Sequence, residues 1–208
     1  MTTLSYERLG SVFFAVGSIL LAVYASLFVL LLPIHDGDFD YVRLVTSPHW
    51  RAIALIAFVG VVSLLTGLEA VYSRIRDSAG ILGATGLVLT KVALVLQACV
   101  LTWEMLMDPL IAAHPESAFL LRDGGIINAP WMVAFRWVFL LTSLGGALLF
   151  GVAVLRSKQF PMPAIGLLIA GAVLYAVGPR VSVFIAISGV ILFAIGGLLI
   201  GARLWRAT

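Results

Sequence analysis

Charge is what this chain has least of. Asp, Glu, Lys and Arg make up 11% of its 208 residues, less than half the ~25% usual in soluble domains. The depletion runs the whole length and 62% of residues are hydrophobic, the composition of a polytopic membrane protein of one domain. Cysteine is nearly missing too. The single Cys99 excludes an intramolecular disulfide, and its place in mid-span, opposite the polar face described below, speaks against a nucleophile or a metal ligand. There is no basic run, so the net charge of +3 does not point to nucleic acid. The Lys and Arg residues fall between apolar stretches, where membrane topology accounts for them.

Enzyme signatures are also absent. The chain has no H-E-x-x-H, G-x-S-x-G, phosphate-binding loop or Rossmann glycine pattern. No histidine pair lies within the apolar stretches to hold haem, and no cofactor is expected. Alternating ten-residue segments are missing as well, which argues against a β-barrel.

What the chain does have is apolar runs. Six can be placed, at about 10–32, 50–72, 80–107, 131–155, 163–177 and 181–204. The expected fold is therefore all-α, a bundle of six transmembrane helices over residues 1–208. A hydrocarbon core of ~30 Å needs roughly 20 helical residues, so the fifth run has to stand upright. The first is too long for a cleavable signal h-region of ~7–15 residues and reads as a retained span. Ser47-Pro48 reads as an N-cap and first helical position for the second span, and Gly178-Pro179-Arg180 as a tight link between the last two. Gly197-x-x-x-Gly201 permits close helix contact.

Basic residues set the expected orientation. Arg8, Arg74, Arg76, Arg156, Lys158, Arg203 and Arg206 fall on one side, and Arg43, Arg51, Arg122 and Arg180 on the other. That bias puts both termini in the cytoplasm of a cell whose inner, or plasma, membrane holds the protein. The two long connections, 33–49 and 108–130, then lie outside. Trp50, Trp103, Trp131 and Trp137 would mark the outer interface and Trp205 the inner one.

The third run carries the functional lead. At 100° per residue, Gly83, Gly86, Thr90, Gln97, Glu104 and Asp108 share one narrow face, with Lys91 about a quarter-turn away. A lipid-facing helix would not carry such a stripe, because a charge in hydrocarbon costs several kcal/mol. Matching depths along antiparallel neighbours suggests two charge pairs, Glu104 with Arg136 and Glu69 with Lys91. Two roles stay open for these groups: structural pairing, or a proton, ion or substrate path along Gln97, Glu104 and Asp108.

A second cluster gathers over the outer mouth. His35, Asp36, Asp38, Asp40 and His49 lie in the first outer connection, and Asp108, His114, Glu116 and Asp123 in the second. His35, His49, His114 and Asp108 are the candidates for a metal site. Asp36-x-Asp38-x-Asp40 begins like a calcium loop, but Tyr41 stands where glycine belongs and Ser47 where the bidentate Glu belongs. No metal is therefore expected.

The segment Gly151-Val152-Ala153-Val154-Leu155-Arg156-Ser157, then Lys158-Gln159-Phe160-Pro161 and Gly166-Leu167-Leu168-Ile169-Ala170-Gly171, resembles small six-span bacterial membrane proteins of the domain-of-unknown-function family 4386. The resemblance covers about a quarter of the chain. It implies architecture and a bacterial source, and no mechanism.

Together these observations point to a multi-pass integral membrane protein in the lipid bilayer, with a non-enzymatic binding or accessory role and with a homo-oligomer or a membrane partner as candidate company. One alternative is a small transporter or channel using the polar face of the third span. The other is a membrane enzyme with an outer-face Asp/Glu/His site.

Overall fold

The structure is a computed structural model and describes residues 3–34, 40–122, 125–178 and 181–207. It is all-α, with no strand among the described residues. Seven α-helices follow one another: α1 (Thr3–Leu31), α2 (Tyr41–Val45), α3 (Trp50–Leu106), α4 (Asp108–Ala113), α5 (Pro130–Ser157), α6 (Met162–Val177) and α7 (Val183–Ala207). Two 3₁₀ turns, Ala118–Leu121 and Ile126–Asn128, lie between α4 and α5. Among the described residues four helical stretches are long and apolar enough to cross a membrane: Glu7–Leu31, Trp50–Ala113, Pro130–Ser157 and Val183–Arg206. The α6 helix is shorter, at 16 residues.

The local sequence explains most boundaries. Asp40 caps α2, its Oδ1 accepting from the Val42 and Arg43 amides at 3.0 and 3.4 Å. Proline opens α5 and sits in the first turns of α4 and α6, where its missing N–H costs nothing. The helix starts later than expected, with His49 at the N-cap position and no side-chain bond from it. Ser47 still caps the turn that leads in, its Oγ accepting from the His49 amide at 3.4 Å and its carbonyl from the Trp50 amide at 3.1 Å.

The largest departure from expectation is the join between the second and third runs. Residues 73–79 read as a charged turn, but the helix continues through them, since nothing there breaks it. The chain reverses at Gly80 alone, with φ 53° and ψ −158°. That conformation lies close to a region essentially reserved for glycine. The long α3 is thus a hairpin of two arms, 50–79 and 81–106. Contacts between the arms show the reversal: Lys91 meets Glu69, Leu101 packs with Ala57 and Val61, and the Trp50 indole Nε1 donates to the Glu104 carbonyl at 2.8 Å. A Cβ at Gly80 would meet open space, so Gly80→Ala isolates the backbone cost. It is expected to destabilise the protein by about 1–3 kcal/mol, read as a shift in the denaturant midpoint of unfolding from micelles. An unshifted midpoint would place the reversal elsewhere.

Helices meet where glycine lets backbones close up. Gly67 of the first arm faces the Phe14 backbone of α1. Gly197 and Gly201 of α7 face Ser18 and Ala15 of α1, so this glycine pair is used within the chain. Gly171 of α6 faces Phe193 of α7, Gly151 of α5 faces Ile169 of α6, and Gly86 of the second arm faces Phe150 of α5. The order around the bundle is first arm, α1, α7, α6, α5, second arm, and the two arms of α3 close the ring.

Large apolar side chains are left exposed, among them Leu30 at 76%, Ile81 at 86% and Leu141 at 64%. A water-soluble surface would not tolerate them in such number; they suit contact with lipid.

The indole of Trp50 departs from the expected interfacial belt. It is 5% exposed and stacks edge-on with Phe28 and Tyr41, ring centroids 6.3 and 6.2 Å away. Trp103, Trp131, Trp137 and Trp205 are exposed.

Candidate functional site

The second arm of α3 changes character along its length. Gly83 and Gly86 pack on Ala153 and Phe150 of α5. Thr90 lies against Gly146 of α5 and turns its hydroxyl back to the Gly86 carbonyl at 2.8 Å. This half of the face is helix packing. Beyond it, Gln97, Glu104 and Asp108 line a cavity of ≈ 990 Å³ at the end of the bundle bearing the two long connections. Trp131 and Arg136 of α5, Tyr175 of α6 and Arg122 complete its wall.

Each polar group there has a distinct environment. The Tyr175 hydroxyl donates to Gln97 Oε1 at 2.9 Å, tying α6 to the second arm. The Tyr41 hydroxyl donates to Asp108 Oδ2 at 2.5 Å. Burial, then the negative charges of Glu104 and Asp108, push the Tyr41 hydroxyl above the usual tyrosine range, so it remains a donor. Asp108 itself is 3% exposed, and its Oδ1 has no hydrogen-bond partner. A buried carboxylate oxygen without a donor is costly, by about 1–3 kcal/mol or more, and at the wall of a roomy cavity it is placed to accept from whatever donor enters, water included.

Tyr41 gives the Asp108 carboxylate a short hydrogen bond, and the Trp103 side chain is a second donor to it. Tyr41→Phe should therefore destabilise the protein by about 1–3 kcal/mol, measured by thermal unfolding in micelles. An unchanged melting temperature would mean that Asp108 is satisfied without the phenol.

The two expected charge pairs fare differently. Lys91 Nζ and Glu69 Oε1 form an ion pair. Each residue lies eleven positions from Gly80, so the hairpin sets them level. Glu104 and Arg136 share the cavity wall, but no ion pair joins them within 4.0 Å among the described residues. Equal depth along antiparallel helices does not fix the azimuth at which two side chains point. Arg136 remains exposed.

His49 is exposed. His114 is exposed beside Glu116, at 3.7 Å, and neither histidine lines the cavity. Among the described residues no three His, Cys, Asp or Glu side chains gather as metal ligands would. His35, Asp36, Asp38, Asp123 and Arg180 lie outside the described residues. Cys99, placed by helical periodicity opposite the polar face, is exposed and lines the same cavity as Glu104.

Tyr41, Tyr175, Arg122 and Trp131 line the cavity without any site role expected for them from the sequence. Tyr175 carried a usable signal, since a phenol in an otherwise apolar 16-residue helix needs a partner for its hydroxyl. Tyr41 carried none beyond its place in a polar connection.

A second cavity, of ≈ 140 Å³, lies inside the ring and draws its wall from α1, both arms of α3, α5, α6 and α7. Its lining is almost wholly apolar, and it shares Gln97, Phe139 and Tyr175 with the larger cavity.

Fold and cavities define an all-α protein with helices long and apolar enough to cross a membrane. Compared with family models, curated proteins and solved structures, the chain matches none.

Proposed function

We propose that the protein crosses the plasma membrane six times, with both termini in the cytoplasm, and binds a small ligand from the outer face without acting on it chemically. The two arms of α3 count as separate crossings, and α6 makes a short upright one. The Lys and Arg distribution supports the orientation. The six apolar runs of the sequence support the span count.

The observation that carries the binding reading is Asp108. It is buried and missing a donor for Oδ1, at the wall of a ≈ 990 Å³ cavity. Binding is favoured over transport because beyond Gln97 the chamber surface is almost wholly apolar, with only the hydroxyl-bearing Tyr24, Thr90 and Ser143 along its wall and no charged group to pass an ion on. It is favoured over catalysis because neither His49 nor His114 joins the carboxylates.

The native thiol provides the test. Cys99 in right-side-out vesicles is expected to react with a membrane-impermeant thiol reagent, and Glu104→Cys in a Cys99→Ala background likewise. Unreactive thiols at both positions would mean that the cavity does not open to the outside, and the binding reading would fall.

A further inference from the structure

The larger cavity can satisfy a charged group, and the smaller one has no charged residue in its wall and an almost wholly apolar surface. They meet at a shared wall of Gln97, Phe139 and Tyr175. A soluble polar ligand has no use for the chamber, and a plain hydrocarbon has none for the buried carboxylate. A molecule with both ends uses both. The polar end is set by charge. Asp40, Glu104 and Asp108 face the larger cavity against Arg122 and Arg136. The deepest of these groups by exposure is Asp108, whose free Oδ1 accepts and cannot donate. An ammonium brings three donors and the opposite charge, and the Trp103 and Trp131 rings in the same wall suit a cation. A carboxylate head would find Arg122 and Arg136 only at the exposed side of the cavity and would leave Asp108 Oδ1 without a donor.

The apolar end is set by length and volume. From Asp108 to Gln97 is eleven residues of chain, about 16 Å at helical rise. A cavity of about 150 Å³ accepts benzene, so the ≈ 140 Å³ chamber holds the last several carbons of a chain. The geometry points to a single site spanning both cavities for a long-chain primary amine. Its ammonium sits on Asp108 and its hydrocarbon tail passes the Tyr175–Gln97 pair into the chamber. This inference rests on the binding reading above and names its ligand class.

The test uses the full chain in phosphatidylcholine nanodiscs and hexadecylamine bearing a diazirine at the chain end. After irradiation, adducts are expected on chamber residues such as Leu94, Leu168 and Phe193. The matching hexadecanoate probe should give at least about tenfold fewer, and so should Asp108→Asn with the amine, as loss of one charged hydrogen bond requires. Ala172→Phe, which fills the chamber, should abolish the chamber adducts, with Ala147→Phe as its stand-in if that variant does not fold. Excess propylamine should compete poorly. Adducts confined to outward-facing residues such as Leu141 and Ile81, or equal labelling by the carboxylate, would overturn the inference. If Cys99 and Glu104→Cys are reactive but the chamber stays unlabelled, the amphiphile proposal alone fails. If both thiols are also unreactive, the binding reading fails with it.

Discussion

Replacing Glu69 with leucine is expected to destabilise the protein by about 2–3 kcal/mol, and adding Lys91→Leu to recover most of that loss. Lys91 lies midway along the second arm, with Glu69 level with it on the first. A lone lysine at the centre of a membrane helix costs about 2.5–3.5 kcal/mol. Breaking a fully buried pair costs about 3–5 kcal/mol because one charge is left stranded, whereas an apolar replacement of both partners is often neutral. The Lys91 and Glu69 side chains are 35% and 36% exposed, which places the effect at the lower end. A double-mutant cycle on unfolding from micelles separates the interaction from the burial of each side chain. If Glu69→Leu and the double variant were equally unstable, pairing would not be what holds these residues. If Glu69→Leu cost nothing, Lys91 would be solvated on its own.

Gly67→Leu is expected to cost about 3 kcal/mol or more, enough to remove most folded protein from the membrane fraction. A Cβ there would lie 2.5 Å from the Phe14 amide nitrogen, 2.7 Å from its Cα and 2.8 Å from the Gly10 carbonyl oxygen. All three are backbone atoms of α1, so no side chain can swing aside and the two helices must part. Overpacking in a well-filled interior costs about 1–3 kcal/mol and occasionally more. This contact also belongs to the ring, so separating α1 from the first arm disturbs its neighbours. Gly166→Leu is the control. A Cβ at Gly166 meets nothing within 4 Å, and a change within about 0.5 kcal/mol is expected. Equal losses at the two positions would show that bulk in any helix is the cause, and not the approach of α1.

The apolar runs made the helices legible, because continuous Leu- and Ala-rich stretches of about 20 residues have few other ways to fold. The ends were less legible. Residues 73–79 hold Arg74, Arg76 and Asp77, which read as a water-exposed turn, yet every one of these residues can extend a helix and only Gly80 departs from it. The stripe of α3 shows a deeper limit. A 3.6-residue period marks a face, whether that face packs or binds. Gly83, Gly86 and Thr90 prove to be contact surface for α5, and Gln97, Glu104 and Asp108 the wall of a cavity. The same limit applies to Trp50, whose position at a span end suited an interfacial anchor. It became a buried hydrogen-bond donor because α2 and the Phe28 turn of α1 cover it. Tyr41 reaches Asp108 from 67 residues away in sequence, and no local pattern carries information over that separation.

The one-residue reversal at Gly80 also bears on how the protein is made. A conventional pair of crossings leaves the ribosome with a polar loop between them, so each helix can enter the bilayer in its own time. Here a single residue joins the two arms, and the Glu69–Lys91 pair spans only 22 residues of chain. On the six-crossing reading, entry of the two arms as one hairpin would let these charges meet on the way into lipid, so the cost of a solitary lysine would fall only on a chain whose arms enter separately.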